Sequence, residues 1–223
     1  MKRRYDLIMF DLDGTLIDNR AAIRDNFNHA LEAHGLPQLG DGKIDSMIGT
    51  PLAEMFEKIL PKPACFSAED LAHSYMQRYL QTSHIGTHVL EDVVPTLERL
   101  RSDGFRLAVA TTKVNEAVQP LLQKMGLYDY FDMATGRREG MKNKPHPDIL
   151  NYIMKELKMI PQRSVMVGDT PTDVMTARNA GVSMIGVTSS ISLGFTTLDR
   201  IRDAQPDIII PSLHHLFEYL YVG

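Results

Sequence analysis

Short apolar runs that stop abruptly at small or charged residues recur along this chain, separated by stretches with helical spacing. The first run is residues 7–10, Leu-Ile-Met-Phe, and others fall at 107–110, 164–167, 184–187 and 207–210. Runs this short, almost wholly apolar and without alternation, predict strands buried in a parallel sheet. Between them, residues Val93–Ser102, 116–125, Asp148–Leu157, 173–180 and 213–220 repeat apolar positions at helical intervals. Strands alternating with helices imply an α/β fold, a doubly wound parallel sheet of Rossmann-like form. Pro120 falls inside the second of these helices and is expected to interrupt it.

Residues 18–88 break the alternation, holding several helical patterns and no convincing strand. The clearest is 21–33, with Ile23, Phe27, Ala30 and Leu31 on one face and Gly35 and Pro37 closing it; 51–60 and 68–80 follow. This predicts an all-helical domain, 18–88, inserted into a core made of 1–17 and 89–223. The insertion leaves the core directly after the first strand and is expected to overhang its end.

With 223 residues, 43% apolar and 23% charged, the chain is long enough for an enzyme and has an ordinary globular balance. A net charge of −4 argues against a nucleic-acid or membrane-surface partner. Cys65 is the single cysteine, which excludes an internal disulfide and suits the cytoplasm. The start is basic, but Asp11 cuts short the apolar run behind it, so neither a secretory leader nor a spanning helix is expected.

The candidate chemistry sits at the strand ends. Asp11 and Asp13, followed by Gly14 and Thr15, close the first run. In extended backbone, side chains at i and i+2 share a side, so two carboxyl groups converge. Converging carboxylates repel unless a divalent cation or a nucleophile–acid division of labour accounts for them. In an open parallel sheet, ligands bind at this carboxyl edge. Thr111-Thr112-Lys113 follows the second run, and its hydroxyls and backbone N–H groups suit phosphate oxygens. Asp169 ends the third run and Asp173 lies early in the next helix, where one can reach a metal and the other a neighbouring lysine. Lys144, framed by Asn143 and Pro145, offers a positive charge for an anion. Taken alone, each of these is as well read as a turn residue or a solvated surface group.

Together they form an inventory for phosphoryl transfer. The chain resembles the haloacid dehalogenase superfamily of phosphatases, and within it the phosphoglycolate phosphatase-like group. Four motifs carry the likeness in order: Asp11-Leu-Asp-Gly-Thr15, Thr111, Lys144-Pro, and Gly168-Asp169 with Asp173, supported by Gln205-Pro-Asp-Ile-Ile near the end. The resemblance implies an aspartyl-phosphate mechanism with Asp11 as nucleophile and Asp13 as acid and base. It implies Mg²⁺ held by the Asp11 carboxylate, the Asp13 backbone carbonyl and Asp169. Thr111, Thr112 and Lys144 are then the phosphoryl ligands, with Asp173 orienting Lys144 and metal water. The inserted helices correspond to the family's cap. A small phosphorylated metabolite is the implied substrate, 2-phosphoglycolate first, and the protein is expected to be a monomer or weak homodimer.

Pro120-Leu-Leu also matches the group. Elsewhere the chain departs from the pattern, with Glu91-Asp92 where many relatives carry Pro-Gly and 188–192 where a glycine-containing loop is usual. Arg20 and Arg24 are candidates for contacts to an acidic substrate. A β-phosphoglucomutase-like transferase, a pyrophosphatase or a nucleotidase could use the same core. A phospho-aspartate signalling receiver shares the sheet, but the acid at i+2 and the long insertion argue against it. An EF-hand loop would need a glycine at its sixth position and a distal glutamate, which this motif lacks. His84 and His88 have metal-ligand spacing, but Gly86 between them favours a hinge.

Overall fold

The computed structural model describes residues 2–61 and 65–222. The chain divides into two compact units, Asn19–His88 and the remainder, Met1–Asp18 with Val89–Gly223.

The unit Asn19–His88 holds α1 (Arg20–Ala33), α2 (Asp41–Asp45), α3 (Leu52–Glu57) and α4 (Ala68–Thr82). The Phe27 and Phe56 rings stack at 4.2 Å, joining α1 to α3. Ser67 and Asp70 form a reciprocal capping box that fixes where α4 begins. Arg24, a candidate substrate contact in the sequence, is engaged inside this unit: it pairs with Asp41 at 2.9 Å and with Asp45, tying α1 to α2. A guanidinium held by two carboxylates is a brace between helices. α2 carried no sequence signal, and α3 is shorter than the 51–60 expected.

In the other unit the five apolar runs become β1 (Leu7–Phe10), β2 (Arg106–Val114), β4 (Ser164–Gly168), β5 (Ser183–Val187) and β6 (Ile208–Ile210), and a further strand that was not among those runs, β3 (Met133–Arg137), joins them. They pair in the order β3-β2-β1-β4-β5-β6, every ladder parallel. The order reverses beside β1, and that reversal is where open α/β sheets bind ligands. The helices are α5 (Val93–Ser102), α6 (Asn115–Lys124), α7 (Asp148–Leu157), α8 (Pro171–Ala180) and α9 (Leu198–Ala204).

Both faces of the sheet are covered, which explains why its strands are apolar without alternation. Ile8, Phe10, Val109 and Val165 pack in one cluster with Leu97 of α5 and Leu121 of α6. Leu7, Met9, Ala108 and Met166 pack in a second cluster with Ile153 of α7 and Val174 of α8. Pro120 does not break α6, because it lies exposed on the outer face, where the carbonyl it leaves free meets water. The helix expected at 213–220 is instead a 3₁₀ helix, Leu213–Glu218. Its buried Leu213 and Leu216 are three residues apart, a spacing that three residues per turn stacks on one side.

The amino edge of the sheet is cross-linked. Arg163 grips the Asp6 carboxylate at 2.8 and 2.7 Å and donates to the Arg3 and Arg4 carbonyls. Asp132 accepts from the Leu107 N–H at 2.9 Å and pairs with Arg101 and Arg106.

Candidate active site

The parallel register sets the site. Phe10 lies opposite Val109 on one side and Val167 on the other, so Asp11, Thr111 and Asp169 fall at nearly the same level, Thr111 still within β2. The Asp11 N–H donates to the Val167 carbonyl at 2.9 Å, which carries β-pairing one residue past the strand. Gly14 follows with φ +83, a conformation that favours glycine, and a Cβ there would collide with Asp169 Oδ2 and lie 2.8 Å from the Phe195 ring. The turn then closes with Leu16 N–H donating to the Leu12 carbonyl at 2.9 Å.

Lys144 is the hub. Its side chain is 2% exposed, and Nζ donates to Asp11 Oδ1 at 2.8 Å and Asp173 Oδ1 at 2.7 Å. Burial alone pulls its pKa down, but the two carboxylates outweigh burial and hold the ammonium above the ordinary lysine range. The loop carrying Lys144 is pinned by Asn179, which donates to the Pro145 carbonyl at 2.9 Å, and by Asp148, which accepts from Lys142 N–H at 2.9 Å.

Asp173 divides its oxygens: Oδ1 goes to Lys144, while Oδ2 accepts from Thr170 N–H and Oγ1 at 3.1 and 2.7 Å. That second set is a capping box on α8, readable as Thr-x-x-Asp with Pro171 at the first helical position. Gly168 leaves the room: a Cβ there would sit 2.7 Å from the Asp173 carboxyl.

Asp169 is fully buried. Oδ1 accepts from Thr15 Oγ1 at 2.6 Å, and Oδ2 has no hydrogen-bond partner. Burial, followed by repulsion from Asp11 and Asp173, pushes its pKa well above the carboxylate range. Burial likewise pushes Asp11 up to about 7, against the pull of Lys144 and with repulsion from Asp173 and Asp13. Oxygens of Asp11, Asp169 and Asp173 lie within 4.8 Å of one another. Three converging carboxylates, one with an orphaned buried oxygen, suit a hard divalent cation. The Asp13 carboxylate stands outside this trio, with Oδ2 3.0 Å from Lys113 Nζ. Thr111 is buried and its Oγ1 accepts from Lys113 N–H at 3.3 Å, while Thr112 is partly exposed beside it.

Three contributors escape sequence reading. Thr15 lay inside the first motif with no role attached. Lys113 had no partner to suggest one. Ser192 lies in the segment 188–192, whose form the sequence left open: it is fully buried and donates to the Gly14 carbonyl at 2.7 Å, 178 residues away. A contact of that span leaves no local pattern.

A doubly wound sheet with these groups gathered at its switch point is the architecture of a haloacid dehalogenase-like hydrolase. The chain belongs to that family, whose model matches residues 8–187. It is 34% identical over 207 residues to the probable phosphatase IndB of Dickeya dadantii, covering 92% of this chain and 88% of that protein. It is 30% identical over 229 residues to a phosphoglycolate phosphatase of Vibrio vulnificus, covering 100% and 99%. A haloacid dehalogenase-like family hydrolase of Streptococcus pneumoniae superposes with a TM-score of 0.86 at 24% identity, over 98% of this chain and 99% of that one, which shows the shared fold. No helix among the described residues is long and apolar enough to cross a membrane.

Proposed function

We propose that this protein is a Mg²⁺-dependent phosphatase of small phosphorylated metabolites, with 2-phosphoglycolate as its substrate. The observation that carries the reading is the buried acid–lysine constellation at the switch point, in which Asp11, Lys144 and the pair Asp169 and Asp173 come from three separate sequence segments. The near full-length likeness to a phosphoglycolate phosphatase supports the substrate. The exposed, unpaired Cys65 supports action in the cytoplasm.

In the first step the Asp11 carboxylate attacks phosphorus in line; the bond to the leaving oxygen breaks and Asp13 gives that oxygen its proton. In the second, Asp13 takes a proton from water as the water attacks the aspartyl-phosphate, releasing inorganic phosphate and restoring Asp11. The Thr111 hydroxyl, the Thr112 backbone N–H and Lys144 hold the phosphoryl oxygens, and Asp173 keeps Lys144 in place. The Asp11 carboxylate, the Asp13 carbonyl and Asp169 would hold Mg²⁺. When bound, the ion offsets the negative charge shared by the carboxylates and the phosphoryl group.

The test is phosphate release from a panel of phosphorylated metabolites with Mg²⁺, wild type beside Asp11→Asn. The reading expects 2-phosphoglycolate to give the highest kcat/KM and Asp11→Asn to abolish release. Conversion of β-glucose 1-phosphate to glucose 6-phosphate without free phosphate would replace it with a mutase.

A further inference from the structure

β2 does not end as a regular strand. Its ladder with β3 pairs Ala110 with Thr135 and next Val114 with Arg137, so the intervening stretch of β2 is longer than its counterpart on β3. The surplus is a bulge at residues 111–113, a device that re-aims side chains at a strand end. Gly136 makes the bulge possible: a Cβ there would run into the Lys113 carbonyl oxygen and lie 2.9 Å from Val118. Asn115 Oδ1 braces the other side, accepting from Thr135 Oγ1 at 3.1 Å and Gly136 N–H at 3.3 Å.

The bulge directs Lys113 inward. Its side chain is 9% exposed, and Nζ meets Asp13 Oδ2 at 3.0 Å. The other oxygen, Asp13 Oδ1, is buried and has no hydrogen-bond partner. A carboxylate with one oxygen tethered and the other idle has its rotamer fixed and one oxygen left for a reacting group. A lysine suits this, because an ammonium is a compact donor that can serve one oxygen without closing over both as a guanidinium fork does.

We propose that Lys113 is a positioning residue for Asp13, holding Oδ2 so that Oδ1 is presented to the leaving-group oxygen. The proposal rests on the phosphatase reading, with Asp13 as the acid. No proton passes through Lys113. Its contribution is orientation, and it counts most where the leaving oxygen needs a proton.

Leaving-group dependence tests this. Wild type, Lys113→Met, Gly136→Ala and Asp13→Asn are assayed with Mg²⁺ on two substrates. One is an alkyl phosphate, 2-phosphoglycolate or glycerol 2-phosphate, whichever turns over faster. The other is p-nitrophenyl phosphate, whose phenolate leaves without a proton. The quantity read is the ratio of kcat/KM on the alkyl to kcat/KM on the aryl ester, which covers the steps up to aspartyl-phosphate formation and not the water step both substrates share, and which does not depend on how much of a preparation is folded. Lys113→Met is expected to lower this ratio about tenfold, part of the 10²–10⁴ that a positioned acid supplies. Gly136→Ala, which shifts the bulge and leaves every charge in place, should lower it in the same direction, and Asp13→Asn at least as far as Lys113→Met. An unchanged ratio in Lys113→Met, with both substrates slowed alike, overturns the proposal, and so does a rise in KM with kcat intact. A wild-type protein that releases phosphate from neither ester overturns the phosphatase reading and the proposal with it.

Discussion

Asp173 reaches Lys144 with one oxygen and the start of α8 with the other, at 2.7 Å to Lys144 Nζ and 2.7 Å to Thr170 Oγ1. The ammonium that would meet the phosphoryl group is therefore fixed by the residue that also caps a core helix. Lys144→Met leaves Asp11 and Asp173 buried without their shared cation, and breaking such a pair costs about 3–5 kcal/mol. We expect a matching loss of stability in urea unfolding, together with loss of phosphate release. A variant as stable as wild type would show that the three groups do not act as a unit.

Asp169→Asn should do the opposite to stability. Among the described residues no cation is paired with Asp169, one of its oxygens is orphaned and Asp11 and Asp173 repel it, so burial and repulsion favour its neutral form without metal. Thermal unfolding in chelator should show a gain of about 1–2 kcal/mol, the usual scale for relieving a buried unpaired charge. Added Mg²⁺ should then stabilise the variant far less than wild type.

The pH dependence follows from Asp11, whose pKa is pushed up to about 7, chiefly by burial. Between about 4, the ordinary aspartate value, and about 7, the folded metal-free protein binds more protons here than the unfolded chain. Its stability therefore falls as pH rises through that window. The difference in Tm between wild type and Asp11→Asn, measured in chelator at pH 4 to 7, should move steadily in favour of the variant as pH rises. A difference that stays flat would mean Lys144 already holds Asp11 ionised throughout.

Gly14→Ala should be severe although it adds one methyl group. The position has φ +83, and the new Cβ would strike Asp169 Oδ2. Positive-φ strain adds about 1–2 kcal/mol before the clash is counted. Loss of both Mg²⁺-induced stabilisation and activity is expected, read by thermal shift and phosphate release. Ser192→Ala loses its hydrogen bond to the same turn and its hydrogen bond with Ser189 Oγ, about 1 kcal/mol each, and should be milder than Gly14→Ala by both measures.

These residues also mark where the sequence was informative. Strands buried on both faces read as bare apolar runs, so β1, β4 and the aspartates at their ends were legible, and α7 matched its spacing from Asp148 to Leu157. Asp173 was legible as a partner for a lysine, while its capping box with Thr170, although a local pattern, went unread. Lys113 could not be read, since its inward turn depends on Gly136 and Asn115, in or beside a neighbouring strand and helix. The pairing of Arg24 was hidden for a related reason: its partners Asp41 and Asp45 lie in a helix too short to leave a periodic trace.

The sheet's two edges are unlike. At the amino edge Arg163 is bonded to Asp6 and to two carbonyls, and Asp132 serves an amide and two arginines. At the carboxyl edge two buried carboxylate oxygens, on Asp13 and Asp169, have nothing to bond. Paired charges hold the amino edge, while the buried carboxylate oxygens free to accept a donor lie at the carboxyl edge. A ligand arriving there supplies donors to these oxygens, so whatever binds at the carboxyl edge also stabilises the folded chain by mass action.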